Sequence, residues 1–170
     1  NALANTLSGA AGNDTLLGAA GADSLLGGAG DDSLNGGTGN DRMDGGDGAD
    51  VIVAGKGNNT ITNAAGNATI TAGNGNNNVT NTAGNSTITL GNGTNVVNLT
   101  AGNSTVITGD GADDINITAG NNDITAGAGN DSISLGSGND TVDAGTGTDA
   151  VDFSVARGTW TGAITGAETV

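Results

Sequence analysis

The strongest constraint on this chain is a nine-residue repeat that runs through most of its length. From Gly9 to Asp152 the sequence divides into sixteen consecutive units without insertion or deletion, beginning GAAGNDTLL, GAAGADSLL and GGAGDDSLN. Every fourth residue of a unit is glycine, and every eighth is an aliphatic residue or methionine. A fixed short period of this kind predicts a solenoid, in which each repeat stacks on its neighbours. The eighth-position residues are Leu16, Leu25, Leu34, Met43, Ile52, Ile61, Ile70, Val79, Ile88, Val97, Val106, Ile115, Ile124, Ile133, Val142 and Val151.

Composition limits how such a chain can be stabilised and what it can bind. Its 170 residues include 34 glycines but one phenylalanine and one tryptophan, so a large side-chain core is excluded. A net charge of −15 would suggest disorder, but the strict period favours a folded chain. So acidic a surface disfavours nucleic acid and anionic lipid and attracts cations. The chain has no cysteine and no apolar run of about 18 residues, so we expect neither thiolate metal sites nor membrane insertion.

The units match the pattern G-G-x-G-x-D-x-U-x, where U is a large aliphatic residue. In this they resemble the calcium-binding nonapeptides of the repeats-in-toxin (RTX) family. The resemblance implies an all-β fold, a parallel β-roll in which six residues form a turn, three form a strand, and two nonapeptides form one coil. The same coil of 18 residues is indicated independently, because units such as NTAGNSTIT alternate with units such as AGNGNNNVT in the middle of the chain. About eight coils follow, with the eighth position inward and its polar neighbours outward.

The resemblance also implies where calcium binds. In RTX rolls an ion lies between two stacked turns, held by a sixth-position aspartate from each turn and by backbone carbonyls, and hard oxygen ligands suit Ca²⁺. The predicted metal ligands are Asp14, Asp23, Asp32, Asp41, Asp50, Asp113, Asp131, Asp140 and Asp149. They give five full pairs, Asp14/Asp32, Asp32/Asp50, Asp23/Asp41, Asp113/Asp131 and Asp131/Asp149. Three half-sites stay open: Asn122/Asp140, Asp41/Asn59 and Asn95/Asp113.

The sixth position also divides the chain into regions. Residues 1–8 form a partial repeat, and residues 9–152 form the repeats. Residues 9–53 and 108–152 are predicted to bind calcium. Residues 54–107 contain no acidic side chain and are predicted to be largely metal-free, with stacked neutral side chains in place of ions. Stacked carboxylates repel one another until a cation bridges them, so folding and calcium binding should be coupled in the two acidic regions.

Residues 153–170 are predicted to form a capping coil, because Trp160 falls in the phase of the inward aliphatic position. The ending TGAETV resembles segments that follow RTX repeats in bacterial S-layer proteins. The first residues are already in repeat phase, which favours continuation of the parent chain or stacking of another subunit at that end.

These features predict a non-catalytic structural module, since the chain has no histidine or cysteine and its aspartates all lie in the repeats. We expect a secreted, cell-surface protein of an S-layer, adhesin or filament that associates with itself or with neighbouring repeats, with surface polysaccharide as a further candidate partner. Three alternatives remain. The chain could be the calcium-triggered folding and secretion domain of a toxin or hydrolase exported by a type I system. Its threonine rows could bind ice, and its Asn-x-Ser/Thr triplets could carry glycans.

Overall fold

The structure, a computed structural model, describes residues 2–153 and 163–166. In this part of the chain it is built from strands and short turns without a helix. The strands are β1 Thr6–Ala11, β2 Thr15–Ala20, β3 Ser24–Ala29, β4 Ser33–Thr38, β5 Arg42–Asp47, β6 Val51–Gly55, β7 Thr60–Asn63, β8 Thr69–Ala72, β9 Asn78–Asn81, β10 Thr87–Thr89, β11 Val96–Leu99, β12 Thr105–Ile107, β13 Asp114–Ile117, β14 Asp123–Thr125, β15 Ser132–Ser134, β16 Thr141–Asp143, β17 Ala150–Asp152 and β18 Ala163–Thr165.

The strands form two parallel sheets that face each other across a narrow core. Odd-numbered strands β1 to β17 make the first sheet, and even-numbered strands β2 to β18 make the second. Strands that are neighbours in a sheet therefore come from alternate repeats, so that Val79 lies opposite Val97, and Val97 opposite Ile115. This confirms the predicted β-roll of 18 residues per coil. With strands about 4.8 Å apart, eight coils give a rod roughly 38 Å long.

Strand alternation explains the core. The eighth-position side chain of each unit points inward, and from Leu25 to Val151 these side chains are at most 3% exposed. The ninth position points outward, and the first position of the next unit points inward again. The sequence pattern predicts the eighth position as the inward residue of each unit. From Ala54 to Ala144 the structure also buries the side chain at the first position of each unit. Leu90, Leu99, Ile117 and Leu135 at the first position are all buried.

The two ends of the roll differ in strand length. Strands β1 to β5 each have six residues, while β14 to β18 each have three. The longer strands include the first three residues of the following unit, which pair with the next coil, as Gly28 does with Gly46. At the first position these N-terminal units have glycine from Gly9 to Gly45. The first position of the N-terminal coils therefore contributes backbone pairing but no side chain, whereas several later coils bury an apolar side chain at this position.

After Asp152 the regular spacing changes. Strand β18 pairs with β16, and Ile164 lies opposite Val142, so the two paired residues are 22 positions apart instead of 18. The predicted capping role of Trp160 concerns a residue outside the described part of the chain. No helix in residues 2–153 or 163–166 has the length and apolarity needed to cross a bilayer.

Candidate metal centres

The sixth-position side chains form two columns, one along each edge of the roll. The first column contains Asp14, Asp32, Asp50, Ala68, Ser86, Ser104, Asn122 and Asp140, and the second contains Asp23, Asp41, Asn59, Asn77, Asn95, Asp113, Asp131 and Asp149. In both columns, the backbone N–H of a sixth-position residue donates to the sixth-position side chain one coil later, except at Asp50, which is followed by Ala68. The backbone N–H of Asp14 donates to Asp32 Oδ1 at 2.8 Å, and that of Asp32 donates to Asp50 Oδ1 at 2.9 Å.

All five predicted aspartate pairs are stacked in this way. The remaining three bonds run from the backbone N–H of Asp23 to Asp41 Oδ1, from Asp113 to Asp131 Oδ1, and from Asp131 to Asp149 Oδ1, at 2.8 to 2.9 Å. The bond has a direction, because each aspartate accepts from the preceding coil. Its second oxygen, Oδ2, is left for other partners. That these pairs bind calcium stays a prediction.

The second carboxylate oxygen is the unusual feature of these turns. In the described part of the chain, Oδ2 is buried without a hydrogen-bond partner in Asp14, Asp23, Asp32, Asp41, Asp50, Asp113, Asp131 and Asp140. A buried, unsatisfied carboxylate is costly, so such groups are normally paired with a donor or a cation. Burial raises the pKa of Asp41, Asp50 and Asp113, and it raises that of Asp131 to about 6.

The asparagine turns reveal what these oxygens lack. Asn59 Nδ2 donates to the backbone carbonyls of Gly55 at 3.5 Å and Gly57 at 3.0 Å, and to Asn77 Oδ1 at 3.0 Å. Asn77 Nδ2 repeats the arrangement with Gly73, Gly75 and Asn95. The amide NH₂ group thus satisfies several oxygens between two turns. In an aspartate turn Oδ2 takes the place of this NH₂ group, so only oxygens face one another there, and a bound cation would satisfy them.

The same comparison separates the three half-sites. In Asn95/Asp113, Asn95 Nδ2 donates to Asp113 Oδ1 at 3.0 Å, and in Asn122/Asp140, Asn122 Nδ2 donates to Asp140 Oδ1 at 3.0 Å. In both of these half-sites an asparagine NH₂ group lies between the two turns and donates to the aspartate. In Asp41/Asn59 the order is reversed, and Asp41 Oδ2 remains without a partner in the described residues. The geometry therefore favours a cation at Asp41/Asn59 over the other two.

In the N-terminal region a first-position glycine leaves space beside each unsatisfied oxygen. A Cβ added to Gly18 would lie 2.5 Å from Asp23 Oδ2 and 2.7 Å from the Gly36 carbonyl oxygen of the next coil. The corresponding Cβ on Gly27 would meet Asp32 Oδ2 and would lie 2.5 Å from the Gly45 carbonyl. A carboxylate and a carbonyl therefore face one space that no side chain fills. Neither glycine has a positive φ, so the missing side chain rather than the backbone conformation distinguishes these positions.

In the C-terminal acidic region the first position carries a side chain instead. The residues preceding Asp113, Asp131 and Asp140 by five are Thr108, Ala126 and Leu135, and all three are buried. The Thr108 hydroxyl donates to the Ala126 carbonyl at 2.8 Å. Burial raises the pKa of Asp113, and the backbone N–H of Asn95, which donates to Asp113 Oδ1, partly offsets this rise. The carboxylates are thus stacked as in the N-terminal region, but a buried side chain stands at the position where the N-terminal region has glycine.

The set of ligand atoms in each turn determines which metal ion the turn suits. In residues 2–153 and 163–166, no three acidic, histidine or cysteine side chains converge on one point. Each turn instead offers one unsatisfied carboxylate oxygen together with backbone carbonyls. Such all-oxygen sets suit Ca²⁺, which accepts six to eight hard ligands in flexible geometry. The N-terminal turns fit this ion best.

Comparison with known protein families agrees with this chemistry. The family model described as the RTX calcium-binding nonapeptide repeat matches residues 1–34, 26–61, 64–88, 71–106, 89–116 and 117–151. The chain belongs to the RTX calcium-binding nonapeptide repeat family. No curated protein and no solved structure matched the chain. The RTX match includes the middle region, where the sixth position is neutral, so family membership does not by itself decide which turns bind calcium.

Within the RTX repeat, the sixth position was found from sequence, but the first position was missed as part of the site. Leu90, Leu99, Ile117 and Leu135 gave a signal, because aliphatic residues there replace the expected glycine. The buried oxygen of Asn63, also at a first position, was missed as well.

Proposed function

We propose that this RTX module is a calcium-rigidified rod that serves as a building block of a secreted bacterial surface assembly, such as an S-layer, an adhesin or an extracellular filament. The observation that carries the proposal is the unbroken stacking of equal coils from β1 to β17. Such a rod has a constant cross-section and spans distance. RTX repeats typically occur in secreted proteins, where calcium is plentiful, and ions between the turns would stiffen the acidic coils.

Self-association is supported by one outer face. On the second sheet, the outward side chains of β6, β8, β10 and β12 carry no charge: Val51, Val53, Thr69, Thr71, Thr87, Thr89, Thr105 and Ile107. We call this set the neutral face. Val51 is 46% exposed and Ile107 is 42% exposed. Copies of a chain with net charge −15 repel one another, so two copies approach at least cost through the uncharged middle region. Strands β7, β9 and β11 of the first sheet are uncharged there too, and the neutral face differs from them by its exposed apolar Val51, Val53 and Ile107.

The test is electron microscopy and sedimentation velocity of the purified chain with calcium and with a chelator. We expect ordered particles or filaments with calcium. The double variant Val51→Lys, Val53→Lys should reduce association. The matched control Thr60→Lys, Thr62→Lys places the same charges on β7 of the opposite sheet and should leave association unchanged. A monomer under all conditions, at concentrations where the chain is folded and calcium-loaded, would exclude self-association.

The second candidate is a calcium-triggered folding and secretion domain of a toxin or hydrolase. It is supported by the same unsatisfied carboxylates, which would keep the chain unfolded where calcium is scarce. A catalytic domain encoded in the same reading frame would favour it, whereas further repeats would favour the surface assembly. The catalytic chemistry would then belong to that domain, since we propose no enzymatic role for the roll.

Ice binding is the third candidate, and it would use the neutral face. Thr69 and Thr71 lie in register with Thr87 and Thr89. However, valines precede and an isoleucine follows these threonines in the same rows. A thermal hysteresis measurement distinguishes this function from the other two, because only ice binding produces a gap between melting and freezing points.

A further inference from the structure

The first column contains a pair of buried oxygens that the sixth-position pattern does not predict. Asp50 is followed one coil later by Ala68, so no second carboxylate is available, and the aspartate pairing ends there. Yet Asp50 Oδ2 is buried, and in the described residues it has no hydrogen-bond partner. The turn between Gly45 and Asp50 therefore holds an unsatisfied charge next to a turn that offers no sixth-position ligand.

The missing ligand comes from another position of the next coil. Asn63, at the first position of its unit, is fully buried, and its Oδ1 has no hydrogen-bond partner among the described residues. A Cβ added to Gly45 would meet Asp50 Oδ2 and would lie 2.7 Å from Asn63 Oδ1. Two buried acceptor oxygens, one of them charged, thus face the same space in front of Gly45. Asp50 itself is only 1% exposed.

The orientation of the Asn63 amide follows from its other contacts. Its Nδ2 donates to Asn81 Oδ1 at 3.2 Å and to the Ala65 carbonyl at 3.4 Å. Asn81 Oδ1 in turn accepts from Ser86 Oγ at 3.2 Å. Turning the Asn63 amide round would place its oxygen against two acceptors, unless Asn81 turned as well. In this arrangement the Asn63 oxygen faces Asp50, while Asn81 Nδ2 is buried without a partner among the described residues. Reversing both amides is therefore the competing arrangement, and the experiment below distinguishes the two.

We propose that Asp50 and Asn63 hold a divalent cation, calcium by its all-oxygen ligands, at the boundary between the N-terminal acidic region and the neutral middle region. A cation satisfies both buried acceptors at once, which no donor in the described residues does. The site differs from the predicted pairs because its second side chain is an amide from the first position rather than a carboxylate from the sixth. It does not depend on whether the rod belongs to a surface assembly.

The experiment is isothermal titration of the full chain with calcium chloride, comparing wild type with Asn63→Ala and with Asn77→Ala, a buried asparagine away from this site. Alanine occupies the first position naturally at Ala54 and Ala72 and the sixth position at Ala68, so both variants should fold. We expect Asn63→Ala to bind one calcium ion fewer per chain and Asn77→Ala to keep the wild-type number. Circular dichroism at saturating calcium checks that the β content is unchanged.

Asn63→Asp separates the proposal from the reversed amide, in which Nδ2 would donate to Asp50. At a cation site the added carboxylate keeps the calcium number and tightens the affected binding step. With a reversed amide the wild type holds no ion there, so Asn63→Asp raises the calcium number by creating a site, and Asn63→Ala keeps the full wild-type number. An unchanged number in Asn63→Ala overturns this site while leaving calcium binding by the other turns intact. Absence of binding in wild type overturns both.

Discussion

The two acidic regions, residues 9–53 and 108–152, both stack sixth-position aspartates in successive turns, but the residues beside those aspartates differ. In the N-terminal region the first position is glycine, and the space next to Asp32 Oδ2 is free of side chains. In the C-terminal region the equivalent residue is Ala126 beside Asp131 and Leu135 beside Asp140, and both are buried.

We infer from this comparison that a column of carboxylates alone does not define a calcium site. Room for the ion is also needed, and a first-position side chain uses that room for apolar contact. The C-terminal coils thereby bury Ile117, Leu135 and their equivalents, each full burial of an aliphatic side chain being worth about 1.5–3 kcal/mol. The N-terminal coils lack these contacts. We therefore expect the N-terminal region to depend on calcium more strongly than the C-terminal region.

Removing calcium should produce the largest difference between the two acidic regions. In chelator we expect backbone amides of residues 15–47 to lose hydrogen-exchange protection by about 100-fold or more, since ions at 100 times their Kd contribute about 2.7 kcal/mol per site. Protection in residues 60–107 should change little, with residues 114–143 between the two. Hydrogen exchange followed by mass spectrometry measures this directly. Equal loss in both acidic regions would contradict the role assigned to the first position.

The next largest effect is expected at the aspartate with two stacked partners. Asp32→Ala removes an oxygen from two predicted sites and the acceptor of the Asp14 backbone N–H, so we expect a loss of about 3 kcal/mol with calcium present. Asp140→Ala should lower the stability less. Asp140 belongs to no full aspartate pair, and its Oδ1 accepts a hydrogen bond from the Asn122 amide. Urea unfolding of both variants in calcium gives the comparison.

Asp32→Asn refines this result. Its NH₂ group should take the place of the ion, as the Asn59 amide does, so this variant should bind less calcium yet unfold less readily than wild type in chelator. A variant that needs calcium as much as wild type would show that the asparagine turns are not equivalent to occupied aspartate turns.

Exchanging the first-position residues between the regions should have a smaller, reciprocal effect. Gly27→Ala should weaken calcium binding and cost about 1–3 kcal/mol in calcium, because the new methyl group enters the space in front of Asp32. Ala126→Gly should lower stability in chelator by about 1 kcal/mol and strengthen calcium binding next to Asp131. Calorimetric titration and urea unfolding measure the two quantities. Ala72→Gly, which lies beside the neutral Asn77, is the control and should leave calcium binding unchanged.

The smallest effect is expected from pH in the absence of calcium. Burial raises the pKa of Asp131 from 3.8 to about 6, partly offset by the Asp113 backbone N–H and reinforced by the charges of Asp113 and Asp149. Because the folded chain holds this proton more tightly than the unfolded chain, the calcium-free fold is most stable below about pH 4. That stability is lost as pH rises to about 6. Thermal unfolding in chelator at pH 4.5 and 7 should show the higher Tm at pH 4.5, and Asp131→Asn should reduce the difference.

Much of the architecture could be predicted from residues alone. The aliphatic eighth position, the invariant glycine at the fourth and the 18-residue alternation in the middle of the chain correctly predicted two parallel sheets and the stacking of every aspartate pair. They could do so because each coil contacts only its neighbours, so that one local period determines the whole stack.

The sequence by itself determined which residues repeat on each edge of the roll, and therefore which carboxylates come together. Only the tertiary structure decided what shares the space between them. The first position turns inward beside the aspartate of its own unit, and Asn63 of one coil reaches Asp50 of the coil before. These contacts join residues five and thirteen apart, which match no multiple of the repeat. They arise because stacked turns place different repeat positions face to face, and the period of a sequence records only equivalent ones.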